Sequence, residues 1–125
     1  MTPAEIIRAH AAKQGQSPNA LAMNIKKFLE QPRTKMVRDG DCMFLIKTKD
    51  DVVNFYIVNG GNSTGYIRAL QSFAALMQRM GFKKGAMRIS DKDQSEKIAK
   101  LIGAKSVSYK EVGGTGDPYL MTMEF

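Results

Sequence analysis

The spacing of apolar residues at the start of the chain predicts two short helices in succession. Thr2 is a suitable N-cap, Pro3 fits the first helical position, and Glu5 completes a capping box. Gly15 ends this helix, and Ser17 caps the next one. The second helix then places four apolar side chains on one face, at Leu21, Ile25, Phe28 and Leu29.

The middle of the chain has the pattern of β-strands. Residues 35–38 form a short candidate strand, and two apolar runs follow at residues 42–46 and 52–58. The polar segment between these runs, residues 47–51, predicts a tight turn and therefore an antiparallel pair. Both runs are almost continuously apolar, so we expect both faces of this sheet to be covered.

A glycine-rich loop at residues 59–65 leads into the longest predicted helix, residues 64–80. A short strand at residues 86–89 follows, and then a helix that Ser90 caps and Gly103 ends. The last two predicted strands are residues 106–112 and 119–125. The side chains of the long helix that are expected to face inward are Tyr66, Leu70, Phe73, Ala74, Met77 and Met80. Those of the helix that Gly103 ends are Ile98, Leu101 and Ile102.

This order predicts an α/β (α+β) fold with a mixed, mostly antiparallel sheet flanked by about four helices. The strand, glycine-rich loop, long helix and strand in the middle form a right-handed crossover. A length of 125 residues fits one domain over residues 1–125.

Composition narrows the chemistry. The single cysteine, Cys42, excludes an internal disulfide and a multi-cysteine metal site, and the single histidine, His10, excludes two-histidine metal motifs. Cys42 is expected to be a buried small hydrophobe, and His10 to be at the surface or satisfied by a partner. Asp50 and Asp51 are expected to be hairpin-turn residues. No catalytic residue and no metal ligand is assigned.

Nineteen basic and twelve acidic residues give a net charge of +7. These basic residues either form an ordinary solvated surface or attract a partner of opposite charge. Such a partner would be a molecule that carries phosphates, nucleic acid among them, or an acidic protein. No apolar run is long enough for a membrane helix, and the first 14 residues lack the apolar centre of a signal peptide. We therefore expect no membrane partner and a cytoplasmic or virion location.

The order of elements resembles the GNAT superfamily of N-acetyltransferases over nearly the whole chain, without that family's usual opening strand. In that family a loop of Arg or Gln, two variable residues, Gly, one variable residue and Gly or Ala binds the pyrophosphate of acetyl-CoA. By this resemblance Asn62 and Gly65 are the candidate cofactor-binding residues, with Asn62 at the basic position and Ile67 at the last small position. A register that begins at Gly60 instead puts Ser63 at the middle Gly.

The family's second mark is a late helix ending in Tyr-x-x-x-Gly-Phe, whose Tyr often acts as general acid. Gly103 matches the Gly, whereas Ala99 and Ala104 replace the Tyr and the Phe. No donor remains at the general-acid position. Tyr109, on the following strand, could substitute only if its side chain reached the same space.

The carboxyl-terminal strand is the candidate interface, through Tyr119, Met121, Met123 and Phe125. If it lies at a sheet edge, its apolar side chains suit a partner strand. The competing interpretation is an internal strand, paired on both sides and packed on the first two helices.

Together these marks favour a catalytically degenerate GNAT-like domain that serves as a binding or assembly component with other protein subunits and without a cofactor. Small domains of this kind resemble GNAT-like proteins encoded among phage virion genes, including internal, head and tail components. The alternative is an acetyl-CoA-dependent N-acetyltransferase with an atypical pyrophosphate loop. A nucleic-acid-binding module is a third hypothesis, based on charge alone.

Overall fold

The computed structural model describes residues 1–114 and 116–125. Four helices and six strands follow one another in the predicted order. They are α1 (Pro3–Gln14), α2 (Pro18–Leu29), β1 (Thr34–Asp39), β2 (Cys42–Lys49), β3 (Val52–Asn59), α3 (Ser63–Arg79), β4 (Lys84–Ile89), α4 (Lys92–Leu101), β5 (Ser106–Glu111) and β6 (Tyr119–Glu124).

Both predicted caps at the start of the chain are confirmed. The Thr2 hydroxyl accepts a hydrogen bond from the Glu5 backbone N–H (3.2 Å), and the Glu5 carboxylate accepts one from the Thr2 N–H (3.1 Å). The Ser17 hydroxyl caps α2 in the same way by accepting the Ala20 N–H. Gly15 ends α1 with a φ of 65°, in the left-handed region that glycine adopts most easily.

The strands form one sheet in the order β1-β2-β3-β4-β6-β5. Only β3 and β4 are parallel, and α3 is the crossover between them. All other neighbours are antiparallel. The fold is thus the predicted α+β arrangement, with a mixed and mostly antiparallel sheet.

Helices cover both faces of the sheet, as the continuous apolar runs predicted. Met43, Leu45 and Val58 pack with residues of α1 and α2 on one face. On the other face Phe44 stacks on Phe73 of α3, with 4.3 Å between the ring centres. Because side chains alternate along a strand, each run supplies both cores.

Three details of the helices differ from the prediction. Asp91, rather than Ser90, caps α4, because its carboxylate accepts the Gln94 N–H. Met80 is 57% exposed, since α3 ends at Arg79 and the stripe does not continue past it. Leu101, at the end of α4, is 52% exposed, and Ala99 takes the buried position instead.

The carboxyl-terminal strand is internal, so the expected edge position is wrong. β6 pairs with β4 on one side and with β5 on the other. Met121 and Met123 are each 1% exposed and pack in the core under α3 and α4, not on the first two helices. Tyr119 and Phe125 are half-buried. A partner contact at these two side chains stays a prediction, and in this conformation it would not reach the two methionines.

We expect Phe73→Ala to lower the free energy of unfolding by about 3–5 kcal/mol, because it removes a buried ring that stacks on another ring. Urea unfolding followed by circular dichroism measures this change. Met80→Ala is the matched control on the same helix and is expected to stay within about 0.5 kcal/mol, since Met80 is exposed. A loss below about 1 kcal/mol for Phe73→Ala would contradict the core position.

Candidate functional site

A gap in the middle of the sheet is the main feature of the candidate site. The parallel strands β3 and β4 pair only at Val52–Lys84, Val53–Gly85 and Asn54–Ala86. Beyond Asn54, β3 keeps β2 as its neighbour and β4 keeps β6, but the described residues show no further pairing between β3 and β4. The strands therefore separate and leave backbone groups available inside the sheet.

The peptide groups of Ile57 face this gap. The Lys84 N–H donates to the Asp51 carbonyl at 3.2 Å, and Val53 stands opposite Gly85. In a parallel ladder every second residue of a strand directs both its N–H and its C=O to the same neighbour. Val53 therefore directs its N–H and C=O toward β4. Ile57, four residues further on, directs its own N–H and C=O to the same side, where no residue of β4 pairs with it.

A cavity of about 370 Å³ fills the gap. Its walls come from both faces of the sheet: α1 lies on one side, and α3 with α4 lies on the other. The carboxyl-terminal part of the chain adds Asp117. Its polar lining includes the side chains of His10, Lys13, Tyr56, Tyr66, Arg88 and Asp117.

His10 is 8% exposed and reaches from α1 to the end of β3. Its Nδ1 accepts the backbone N–H of Asn59 (3.2 Å), and its Nε2 lies 3.5 Å from the hydroxyl oxygen of Tyr56. Burial lowers the pKa of His10, so the ring is neutral at pH 7. The sequence predicted a surface or satisfied histidine. The structure shows a satisfied one and places it in the cavity wall.

Two phenols line the cavity. Burial raises the pKa of Tyr66 to about 12. Burial, and secondarily the charge of Asp117, raises the pKa of Tyr56. Both hydroxyls therefore remain protonated at neutral pH and can donate hydrogen bonds. Neither tyrosine was singled out as a site residue from the sequence. The signal that could have identified Tyr66 is its place directly after Gly65, in the first turn of α3.

The glycine-rich loop lies beside the cavity at the start of α3. The Asn62 side chain caps α3 by accepting the Gly65 N–H (2.9 Å), so the two predicted cofactor residues are in contact with each other. The ammonium of Lys13, on α1, donates to the Gly61 carbonyl at 2.6 Å. A second, open depression lies at this loop and is lined by Lys13, Gly61, Asn62 and Tyr66 among others. Ile67, which departs from the loop pattern, lines neither this depression nor the cavity.

The late helix offers no acid at the position expected from the resemblance. Ala99 is fully buried. Tyr109 does not reach the cavity, because its hydroxyl donates to the Lys92 carbonyl at 3.2 Å, away from the gap. The Lys92 ammonium also lies 4.4 Å from the ring centre of Tyr119. Tyr66 is the phenol best placed to act as the general acid that Ala99 cannot provide, since it lines both the cavity and the loop depression.

Other residues named from the sequence are structural. Cys42 is 2% exposed, and burial raises the pKa of its thiol to about 12, so it is not a nucleophile at neutral pH. Asp50 forms the β2–β3 turn with a φ of 55°. Outside residue 115, no group of three His, Cys, Asp or Glu side chains could hold a metal ion. Likewise, no helix in the described ranges is long and apolar enough to span a membrane.

The sequence matches no protein-family model. It has no significant similarity to a curated protein either.

Solved structures share the fold at low identity. A chimeric spermidine N-acetyltransferase from Vibrio cholerae is 8% identical, with 99% of this chain and 92% of that chain covered and a TM-score of 0.58. An acetyltransferase from Bacillus subtilis in complex with CoA is 10% identical over 82% of each chain, with a TM-score of 0.53. A ribosomal-protein alanine N-acetyltransferase from Escherichia coli is 13% identical over 87% and 76%, with a TM-score of 0.53.

The pH dependence of stability tests the environment of His10. Its pKa lies below the usual 6.5 in the folded state, so below about pH 6.5 the unfolded chain binds a proton that the folded chain does not. The free energy of unfolding is therefore expected to fall as the pH drops through this value. His10→Asn removes the only imidazole of the chain, and the slope between about pH 6.5 and 5.5 should flatten in urea titrations. An unchanged slope would contradict the buried, neutral ring.

The order of the elements and the solved structures agree, and together they show that this chain has the GNAT fold.

Proposed function

We propose that this protein is an acetyl-CoA-dependent N-acetyltransferase. The observation that carries the proposal is the gap between β3 and β4, which opens a cavity through the sheet beside a glycine-rich loop and a helix start. A concave site with a few polar groups is the usual form of a small-molecule site. One solved structure with the same fold is an acetyltransferase in complex with CoA.

The pantetheine arm of acetyl-CoA would lie in the gap, where one of its amide N–H groups would donate to the Ile57 carbonyl. The arm carries amide groups, and these can bond to unpaired strand groups as a neighbouring strand would. The phosphates would lie at the start of α3, where backbone N–H groups and the helix dipole favour an anion. Lys13 would add a positive charge next to the loop.

The residues at the loop fit this arrangement. A Cβ added at Gly65 would meet only the Asn62 side-chain oxygen, at 3.3 Å, so the backbone here is open to a ligand. Ile67 lies outside the depression at the loop, so its branched side chain would not obstruct a phosphate bound there. The charge missing at Asn62 is supplied in space by Lys13, from a different helix.

In the proposed reaction a neutral amine attacks the thioester carbonyl carbon, forming a C–N bond. The C–S bond breaks, CoA leaves as its thiolate, and the proton of the amine passes to water. The peptide N–H of Ile57 is a candidate donor to the oxygen that becomes negative. The protonated Tyr66 hydroxyl is a candidate donor to the departing sulfur.

Isothermal titration of acetyl-CoA tests the binding step. We expect micromolar affinity for the intact chain and about a five- to tenfold loss for Lys13→Ala, as for one charge contact to a phosphate. Lys27→Ala is the control, because Lys27 is exposed on α2 and lines none of these cavities. Equal affinities for the two variants would remove Lys13 from the site, and no binding by the intact chain would refute the proposed function.

Tyr66→Phe tests the chemical step. Loss of the hydroxyl is expected to lower kcat by at least about tenfold while the affinity for acetyl-CoA stays the same, because the bond forms to a developing charge. Release of free thiol from acetyl-CoA gives the rate, with spermidine and an alanine-start peptide as amine probes. Tyr109→Phe is the control, since Tyr109 does not line the cavity. An unchanged kcat in Tyr66→Phe would contradict this role.

The second candidate is the non-catalytic assembly component predicted from the sequence, a phage virion protein among the possibilities. The observation in its favour is Ala99, which leaves the late helix without a phenol. Its other support, an exposed carboxyl-terminal strand, is weakened by the burial of Met121 and Met123. The titration above separates the candidates, because an assembly component has no need to bind acetyl-CoA.

A further inference from the structure

The wall of the cavity on the α1 side includes the polar side chains of His10, Tyr56 and Asp117, together with the cations Lys13 and Arg88. The Tyr56 side chain projects to the α1 face of the sheet, since Val58, two residues on, packs with α1 and α2. This face is opposite to the one that α3 covers. The wall is therefore free to contact the amine substrate rather than the cofactor.

The hydrogen bonds of His10 fix which way its neighbours point. A neutral imidazole has one donor and one acceptor nitrogen, and here Nδ1 is the acceptor because the Asn59 N–H points at it. The proton must then be on Nε2, which faces the Tyr56 oxygen at 3.5 Å. The Tyr56 oxygen therefore accepts the hydrogen bond from His10, and the O–H of Tyr56 is free to donate into the cavity. His10 cannot take up a proton at Nε2 and is not a general base.

The same wall presents one negative charge. The carboxylate of Asp117 forms no ion pair within residues 1–114 and 116–125. Arg88, on β4, also lines the cavity, and its guanidinium donates to the backbone carbonyls of Asp117 (2.8 Å) and Gly113 (2.5 Å). Lys13, which also lines the cavity, donates to Gly61. A hydrogen-bond donor and an anion thus stand together, and both are available to a ligand.

We propose that the acceptor substrate is a primary amine that carries a hydrogen-bond-accepting oxygen beside the amine, as the α-amine of a peptide does. The Tyr56 hydroxyl donates to that oxygen, Asp117 attracts the ammonium form that dominates in solution, and His10 is a positioning residue that orients Tyr56. The inference rests on the proposed function and specifies the substrate class of the same site.

The kinetic test compares two amines, an alanine-start peptide and spermidine, which has amines but no oxygen. The intact enzyme should have at least about a tenfold higher kcat/KM for the peptide, as one well-placed hydrogen bond allows. Tyr56→Phe should lower kcat/KM for the peptide by about tenfold, chiefly through KM, and leave spermidine unchanged. Equal use of both amines, or an equal loss for both, overturns the inference.

The role of His10 is tested by a double-mutant cycle with the peptide. His10→Phe should cost as much as Tyr56→Phe, and the double variant should cost no more than either, because the two residues act in one chain of hydrogen bonds. His10→Gln, which keeps an amide N–H near the place of Nε2, should recover most of the rate. Additive losses, or no recovery by Gln, overturn the positioning role. If His10→Phe does not fold, Tyr56→Phe and His10→Gln decide the same question.

Nitrogen NMR of the ligand-free protein gives a readout that does not depend on activity. The ring of His10 is expected to carry its proton on Nε2 and to be neutral at pH 7. A proton on Nδ1, or a charged ring at that pH, overturns the inference even if acetyl-CoA binds and turns over. Failure of the proposed function is a separate result. If the expected tautomer is present but acetyl-CoA does not bind, the enzyme and its substrate class are both refuted, and the hydrogen bonds of His10 still stand.

Discussion

The end of pairing between β3 and β4 after Asn54 and Ala86 is the constraint on which the rest of the structure depends. A parallel pair in the middle of a sheet normally continues, because each strand would otherwise carry unpaired backbone groups inside the protein. Here each strand keeps its outer antiparallel neighbour, so the two halves of the sheet stay intact while they separate. At the end of β3, His10 accepts the N–H of Asn59 and so satisfies a group that a neighbouring strand would have paired.

The two apolar cores make this separation possible. One core joins β2 and β3 to α1 and α2, and the other lies under α3 and α4 and reaches β6. Because helices hold both faces, the strands can diverge without exposing the core. The polar groups collect where the strands part: His10 and Tyr56 toward α1, and Tyr66 toward α3. The position of the site thus follows from the sheet, and its chemistry from side chains that the helices bring to it.

Much of the fold could be predicted from local patterns, whereas the site depends on contacts between distant parts of the chain. The caps at Thr2 and Ser17 and the continuous apolar runs of β2 and β3 are local signals, and the structure confirms the elements that they predict. His10 contacts Tyr56 and Asn59, which lie 46 and 49 residues away, so no local pattern reveals its role. The internal place of β6 is likewise a matter of strand order, which alternation of side chains does not encode.

Backbone amide NMR during addition of acetyl-CoA tests the central claim, that the gap is an acyl-CoA site, most directly. The account predicts that the amide signals of Ile57 and Gly65 shift together, with a shared affinity, while that of Met36, in the groove between α2 and β1, stays in place. Shifts confined to residues outside the gap and the glycine-rich loop, or no shifts at millimolar acetyl-CoA, would contradict it.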